Sequence, residues 1–217
     1  MAILGQGGSG RGGSTPRFEG LDAFERYWDL LRGRDAVPKR SDVEARQLES
    51  LLDRTFILEK VAPRVARLRV AGQNLCDCMG MDVRGMPITA MIMAESRPVV
   101  ADALAHVFET PCKLHLDLTA ERSIGKPPLE GQILILPLAS DSGEINRAMG
   151  IFATRGRLGR APRRFKCLAR PDLTVISDLE SLIAPAQVTP LPAAVAKKRP
   201  FAHRSHLRLV YSRDTNL

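Results

Sequence analysis

Two segments late in the chain, "QILILPL" (132–138) and "AMGIFAT" (148–154), are apolar at nearly every position. Side chains on a strand alternate between the two faces of its sheet, so a strand of this kind must be covered on both sides. The fold therefore needs a sheet held between two layers. The order of elements around these segments says what can supply them.

"TFILEKV" and "RVARLRV" are β-rich runs separated by Ala62 and Pro63, which predicts a hairpin over 55–71. "QNLCDCMG" (73–80) loses the alternation and ends in glycine, as a short helix does. In 97–108 a proline in the first turn and the stripe Val100, Leu104, Val107 predict a longer helix. "KLHLDL" (113–118) alternates strictly, with Leu114, Leu116 and Leu118 on one face and Lys113, His115 and Asp117 on the other. Ahead of the hairpin, Leu21, Phe24, Trp28 and Leu31 repeat at three- and four-residue steps, which predicts an amphipathic helix over 19–32. "SDVE" (41–44) has the form of a capping box, and Leu48, Leu51 and Leu52 follow, so a second helix is expected there.

The expected class is α+β: a five-stranded antiparallel sheet with helices on one face, preceded by N-terminal amphipathic helices. The helices between the second and third strands cover one face. The other needs the first helix or a partner chain.

Segment 5–15, "GQGGSGRGGST", holds six glycines and no apolar side chain, and disorder is expected over 1–18. "GSGRGG" has the spacing of a dinucleotide loop but lacks the strand before it and the helix after it that such a loop requires. The formal charge of +8 is concentrated late: 155–170 carries seven Arg or Lys and no acid. The domain is expected to run from 19 to 156 and a basic, flexible tail from 157 to 217. No leader and no apolar stretch near the roughly 20 residues of a membrane span is visible, and four scattered cysteines do not make a disulfide framework. A cytoplasmic setting is expected.

The pattern resembles a PAS domain. The residues that carry the resemblance are the hairpin 55–71, "LCDCMGMDVRG" with Leu75, Gly80, Val83 and Gly85, the longer helix 97–108, and a closing hairpin in "LPLASDSGEINRAMGIFAT". The lead-in "YW..LRGRD..P.RSD" (27–42) is similar to that of short stand-alone bacterial PAS proteins. An Asn common near the end of the second strand is not evident around Val70. The resemblance implies a sensory or regulatory role, helices packed on a curled sheet, and a space between them for a small effector. That space would be lined by Leu75, Met79, Met91, Leu104, Leu116 and Leu136. A dry core is the competing reading, because methionine fills gaps as readily as it contacts ligands.

Cys76 and Cys78 invite a metal, yet on a helix residues two apart diverge by about 200°, and no second pair with ligand spacing exists. Cys76 is read as a small buried residue and Cys78 as a partly exposed thiol. Some family members bind haem through a histidine on the long helix, but His106 lies on the wheel opposite Val100, Leu104 and Val107. His115 is read as a solvated outer-face residue. The "R-F-L-Q" that follows the reactive cysteine of flavin photosensors is missing. Neither a nucleophile–base arrangement nor a phosphate loop is found. The expectation is a non-enzymatic protein without cofactor or metal, acting through an unidentified signalling partner. It is expected to form a homodimer through Phe24, Trp28 and Leu31. The alternative is nucleic-acid or acidic-surface binding by Arg155, Arg157, Arg160, Arg163, Arg164 and Lys166, against which the segment lacks aromatic residues for stacking on bases.

Overall fold

A computed structural model describes residues 17–33 and 35–176. The expectations for the glycine-rich start and for 177–217 lie outside the described residues.

Helix α1 (Leu21–Arg32) comes first, followed by two 3-10 segments, Arg40–Asp42 and Ala45–Leu51. The hairpin β1 (Thr55–Ala62) and β2 (Val65–Ala71) leads into α2 (Gln73–Met79). Helix α3 (Arg97–Glu109) precedes β3 (Cys112–Ala120), β4 (Leu129–Leu138) and β5 (Arg147–Gly156). Two short strands, β6 (Phe165–Cys167) and β7 (Asp172–Val175), complete the sheet. Its order is β2-β1-β5-β4-β3-β6, with β7 also paired to β3, and every strand pair is antiparallel.

The alternation inside β4 divides the protein into two cores. Ile133 and Ile135 face Leu75, Met91, Leu104, Leu116 and Phe152, under α2 and α3. Leu134, Leu136 and Leu138 face Phe24, Trp28, Met149 and Ile151, under α1. The demand that β4 and β5 be covered twice is thus met within one chain. Gly150 on β5 belongs to this packing, since a Cβ there would run into the Phe56 ring.

Helix α1 is fixed by more than its apolar stripe. Trp28 is fully buried and its Nε1–H donates to the Pro137 carbonyl (2.8 Å). Lys113 on β3 lies 5.2 Å over the Trp28 ring and donates to Glu25 Oε1 and Asp29 Oδ1, both at 2.9 Å. Arg17 pairs with Glu25 and Asp22 at the start of the helix.

Several expectations change. Phe24 and Trp28 are fully buried against their own sheet and Leu31 packs beside them, so this stripe is core and presents no dimer face. The helix expected after Ser41 is replaced by the two 3-10 segments, of which Leu48 is buried and Leu51 packs partly buried against the core, while Leu52 is 41% exposed. Among the described residues the sheet has seven strands, and 157–176 belongs to the folded domain instead of a tail.

His115 also departs from expectation. On the α1 side of β3 its Nε2 is buried and unpartnered among the described residues. Burial pushes its pKa below 6.5, against the pull of Asp117 and in the same direction as Arg17. The unfolded imidazole therefore takes up a proton first. Its contribution to stability is fully present above about pH 6.5 and shrinks as pH falls below it. In urea melts at a series of pH values, His115→Gln is expected to reduce the acid-side loss of stability.

Candidate functional site

The stretch 67–87 folds around a surface groove of about 850 Å3. Strand β2 gives one wall with Arg69 and Val70, and α2 gives the floor with Cys76 and Asp77. The loop after α2 contributes Met81 and Arg84, and Leu158 closes the groove from β5's far end. Helix α2 stops where it does because Gly80 takes a left-handed conformation (φ 71°) and its N–H caps the Cys76 carbonyl at 2.7 Å. Gly85 turns the chain again (φ 81°), and its N–H donates to the Leu68 carbonyl at 2.7 Å, which ties the loop back to β2.

The charges on the groove are paired in place. Arg69 pairs with Glu59, and Arg84 Nε donates to Asp82 Oδ2 at 2.8 Å, which holds the Asp82 carboxyl down at about 2. Gln73 Nε2 donates to Asp77 Oδ1 at 2.7 Å. Two apolar side chains stand out between them, Val70 at 49% and Met81 at 56% exposure. A wall on which Arg69 and Arg84 are neutralised by carboxylates, Asp77 is held by a neutral amide and aliphatic side chains are exposed suits a mixed apolar and polar surface better than a free anion.

The cysteines exchange the roles expected of them. Leu75, Cys78 and Met79 form the buried stripe of α2, and Cys76 is half-buried at the groove. Burial pushes the Cys78 thiol up to about 11 despite the nearby Arg163, so it is a poor nucleophile. Among the described residues no three His, Cys, Asp or Glu side chains are grouped to hold a metal ion. His106 is exposed on α3.

Of the six residues expected to line an internal space, Leu75, Met79, Met91, Leu104 and Leu116 lie together in the core beneath α2 and α3. Leu136 does not join them. Odd positions of β4 point to that core, and Leu136 points to α1. None of the six borders the groove.

The basic segment is also divided. Arg155, Arg157, Arg160, Arg164 and Lys166 are exposed, whereas Arg163 is fully buried. Its guanidinium donates to the carbonyls of Leu158, Glu121 (3.1 Å) and Pro127 (2.8 Å), and its backbone N–H donates to the Cys78 carbonyl at 2.7 Å. Arg163 is thus a clasp between the β3–β4 loop, the β5–β6 loop and α2, and it is not available to a phosphate. Arg155 lies 4.2 Å over the Phe18 ring.

A family model described as a PAS domain matches residues 17–153. This chain belongs to the PAS domain family. The match begins at the lead-in to α1 and ends inside β5, so α1 falls within the matched region and β6 and β7 lie beyond it. A sensory or signalling role comes with the family. Solved structures with a similar arrangement include a light-oxygen-voltage domain studied with a flavin analogue. It is 16% identical, has a TM-score of 0.40, and the match covers 52% of this chain and 84% of that one. The light-state LOV domain of the blue-light photoreceptor Aureochrome1 is 14% identical at a TM-score of 0.39, over 53% of this PAS protein and 91% of that chain. Its dark-state structure gives 14% and 0.40, over 52% and 83%. Comparison with curated proteins finds no match. Among the described residues no helix is long and apolar enough to cross a membrane.

Proposed function

We propose that this PAS protein is a non-enzymatic regulator in the cytoplasm that acts by binding a signalling protein at the groove between β2 and α2. The observation that carries the reading is the exposure of Val70 and Met81 between charges that are already paired. Such a surface gains by burying aliphatic area and loses little by desolvating its ion pairs, which sit at the rim. A small effector belongs to the same groove, where there is room, and not to the packed core around Leu104 and Leu116. In a homodimer the second copy contacts a surface other than the Phe24 and Trp28 stripe.

Crosslinking pull-down with the full chain as bait tests this. The expected result is a discrete protein captured by the native chain and lost with Met81→Asp or Val70→Asp, both solvent-facing changes that leave the melting temperature within about 2 °C of the native value, as surface substitutions do. Equal capture by native and Asp variants contradicts the groove. Recovery of nucleic acid that is lost on substituting Arg157, Arg160 and Arg164 supports the alternative reading of the basic segment.

A further inference from the structure

Outside the groove, the tip formed by the β3–β4 and β5–β6 loops combines exposed apolar area with unneutralised charge. The β3–β4 loop ends in a tight turn, in which Lys126 N–H donates to the Ser123 carbonyl at 2.9 Å, and Ile124 at its tip is 99% exposed. The β5–β6 loop runs beside it. Glu121 N–H donates to the Arg164 carbonyl (3.0 Å) and Arg160 N–H to the Gly125 carbonyl (2.7 Å). The loops are pressed so closely that a Cβ at Gly159 would run into Pro127. From within, the buried Arg163 guanidinium holds carbonyls of both loops, Glu121 and Pro127 on one and Leu158 on the other. The paired loops are therefore one rigid tip.

The tip is strongly cationic. Lys126 is paired with Glu121, but among the described residues Arg122, Arg157, Arg160 and Arg164 form no ion pair. A fully exposed aliphatic side chain stands on the same two loops as these arginines, beside a hollow lined by Ser123, Gly125, Lys126, Pro127, Arg157 and Gly159, and this mix of apolar and cationic groups decides between acidic partners. A stable protein interface needs about 800 Å2 from each side, more than two short loops offer. Nucleic acid would use the arginines and leave Ile124 in water. A bilayer with anionic headgroups accepts both parts, the arginines at the headgroups and the isoleucine at the acyl boundary.

The geometry points to peripheral binding of this tip, Ile124 with Arg122, Arg157, Arg160 and Arg164, to an anionic lipid surface. This goes beyond the proposed groove and does not depend on it. Attraction of about fivefold per cation near an anionic membrane makes the contact modest, reversible and salt-sensitive.

The test is sedimentation of the full chain with vesicles of pure phosphatidylcholine and of phosphatidylcholine with about 30% phosphatidylserine, at the roughly 150 mM salt at which charges are screened within about 8 Å. Expected are association with the anionic vesicles only, a loss of about fivefold or more in Ile124→Ser, and a loss of about 25-fold in R157S/R160S, two cations at fivefold each. All three substituted side chains are exposed, so melting temperatures should not move. These substitutions separate the tip from the basic residues of 185–217, which stay intact. Binding to anionic vesicles that Ile124→Ser leaves unchanged overturns the tip as the contact, as does equal binding to neutral vesicles or none to either. Duplex DNA binding at the same salt that is lost in R157S/R160S and insensitive to Ile124→Ser assigns the arginines to nucleic acid instead.

Discussion

Trp28→Ala is expected to lower the unfolding free energy by about 3–5 kcal/mol, the cost of removing a large aromatic side chain from a packed core. Three losses combine. The side chain is fully buried between α1 and the β4–β5 face, so a cavity opens beside Leu134, Leu136 and Met149. The Pro137 carbonyl loses the indole N–H that it accepts at 2.8 Å. Lys113 loses the ring beneath it while keeping Glu25 and Asp29. Urea melts followed by circular dichroism measure the change. Trp28→Phe fills most of the space without the N–H and should recover more than half of the loss. A Trp28→Ala variant as stable as the native protein would mean that α1 does not close the sheet.

Arg163→Met is expected to cost about 2–4 kcal/mol even though it removes a buried charge. Burying a guanidinium without a carboxylate is expensive, and that cost disappears with the charge. The substitution, however, leaves the part-buried carbonyls of Glu121, Pro127 and Leu158 without the donors they now have, at about 1–3 kcal/mol for a group left fully unsatisfied and less where water reaches it. The second effect outweighs the first. The loss should be local before it is global, with amide exchange in 121–127 and 157–164 accelerating at denaturant concentrations where β4 and β5 remain protected. Native-state hydrogen exchange resolved by peptide makes that comparison. Unchanged protection of both loops would show that Arg163 is not their clasp.

Where the sequence could be read and where it could not follows from what each signal measures. The double-apolar strands required two layers, and the α1 stripe supplied one of them, because burial periodicity reports what must be covered. It does not report by which chain. Phe24 and Trp28 look the same whether their partner is intramolecular or a second copy, and only the register of the sheet decides. Leu136 was misplaced for the same kind of reason. Alternation separates it from Ile133 and Ile135, but which set faces α3 depends on the pairing of Leu116 with Ile133, a relation between strands far apart in sequence.

Two of the differences carry a local signal. Leu75, Cys78 and Met79 follow the i, i+3, i+4 stripe of a helix, which buries Cys78 and leaves Cys76 at the edge. In "RRFKC", Arg163 alternates with Arg164 and shares a side with the buried Phe165, the period of a strand entering the sheet. Counting the segment only as charge hid that period. The groove, by contrast, was not legible: Leu158 reaches it from beyond β5, and nothing local to 67–87 announces that neighbour. The 3-10 segments after Lys39 were equally hidden. The capping-box pattern was present, but Leu51 and Leu52 have no helix face to continue once the chain turns into β1 at Thr55.

Helix α1 belongs to the PAS fold of its own chain, and Phe24 and Trp28 are core residues of that fold. Amide hydrogen exchange of the full chain at concentrations from about 1 to 100 μM tests it most directly, because protection that comes from packing within one chain does not change on dilution, whereas protection from association does. Helix α1 and the strands β4 and β5 are expected to keep the same protection across that range. Protection of α1 that fades on dilution, together with faster exchange in β4 and β5, would show that a second chain covers the sheet and would contradict it.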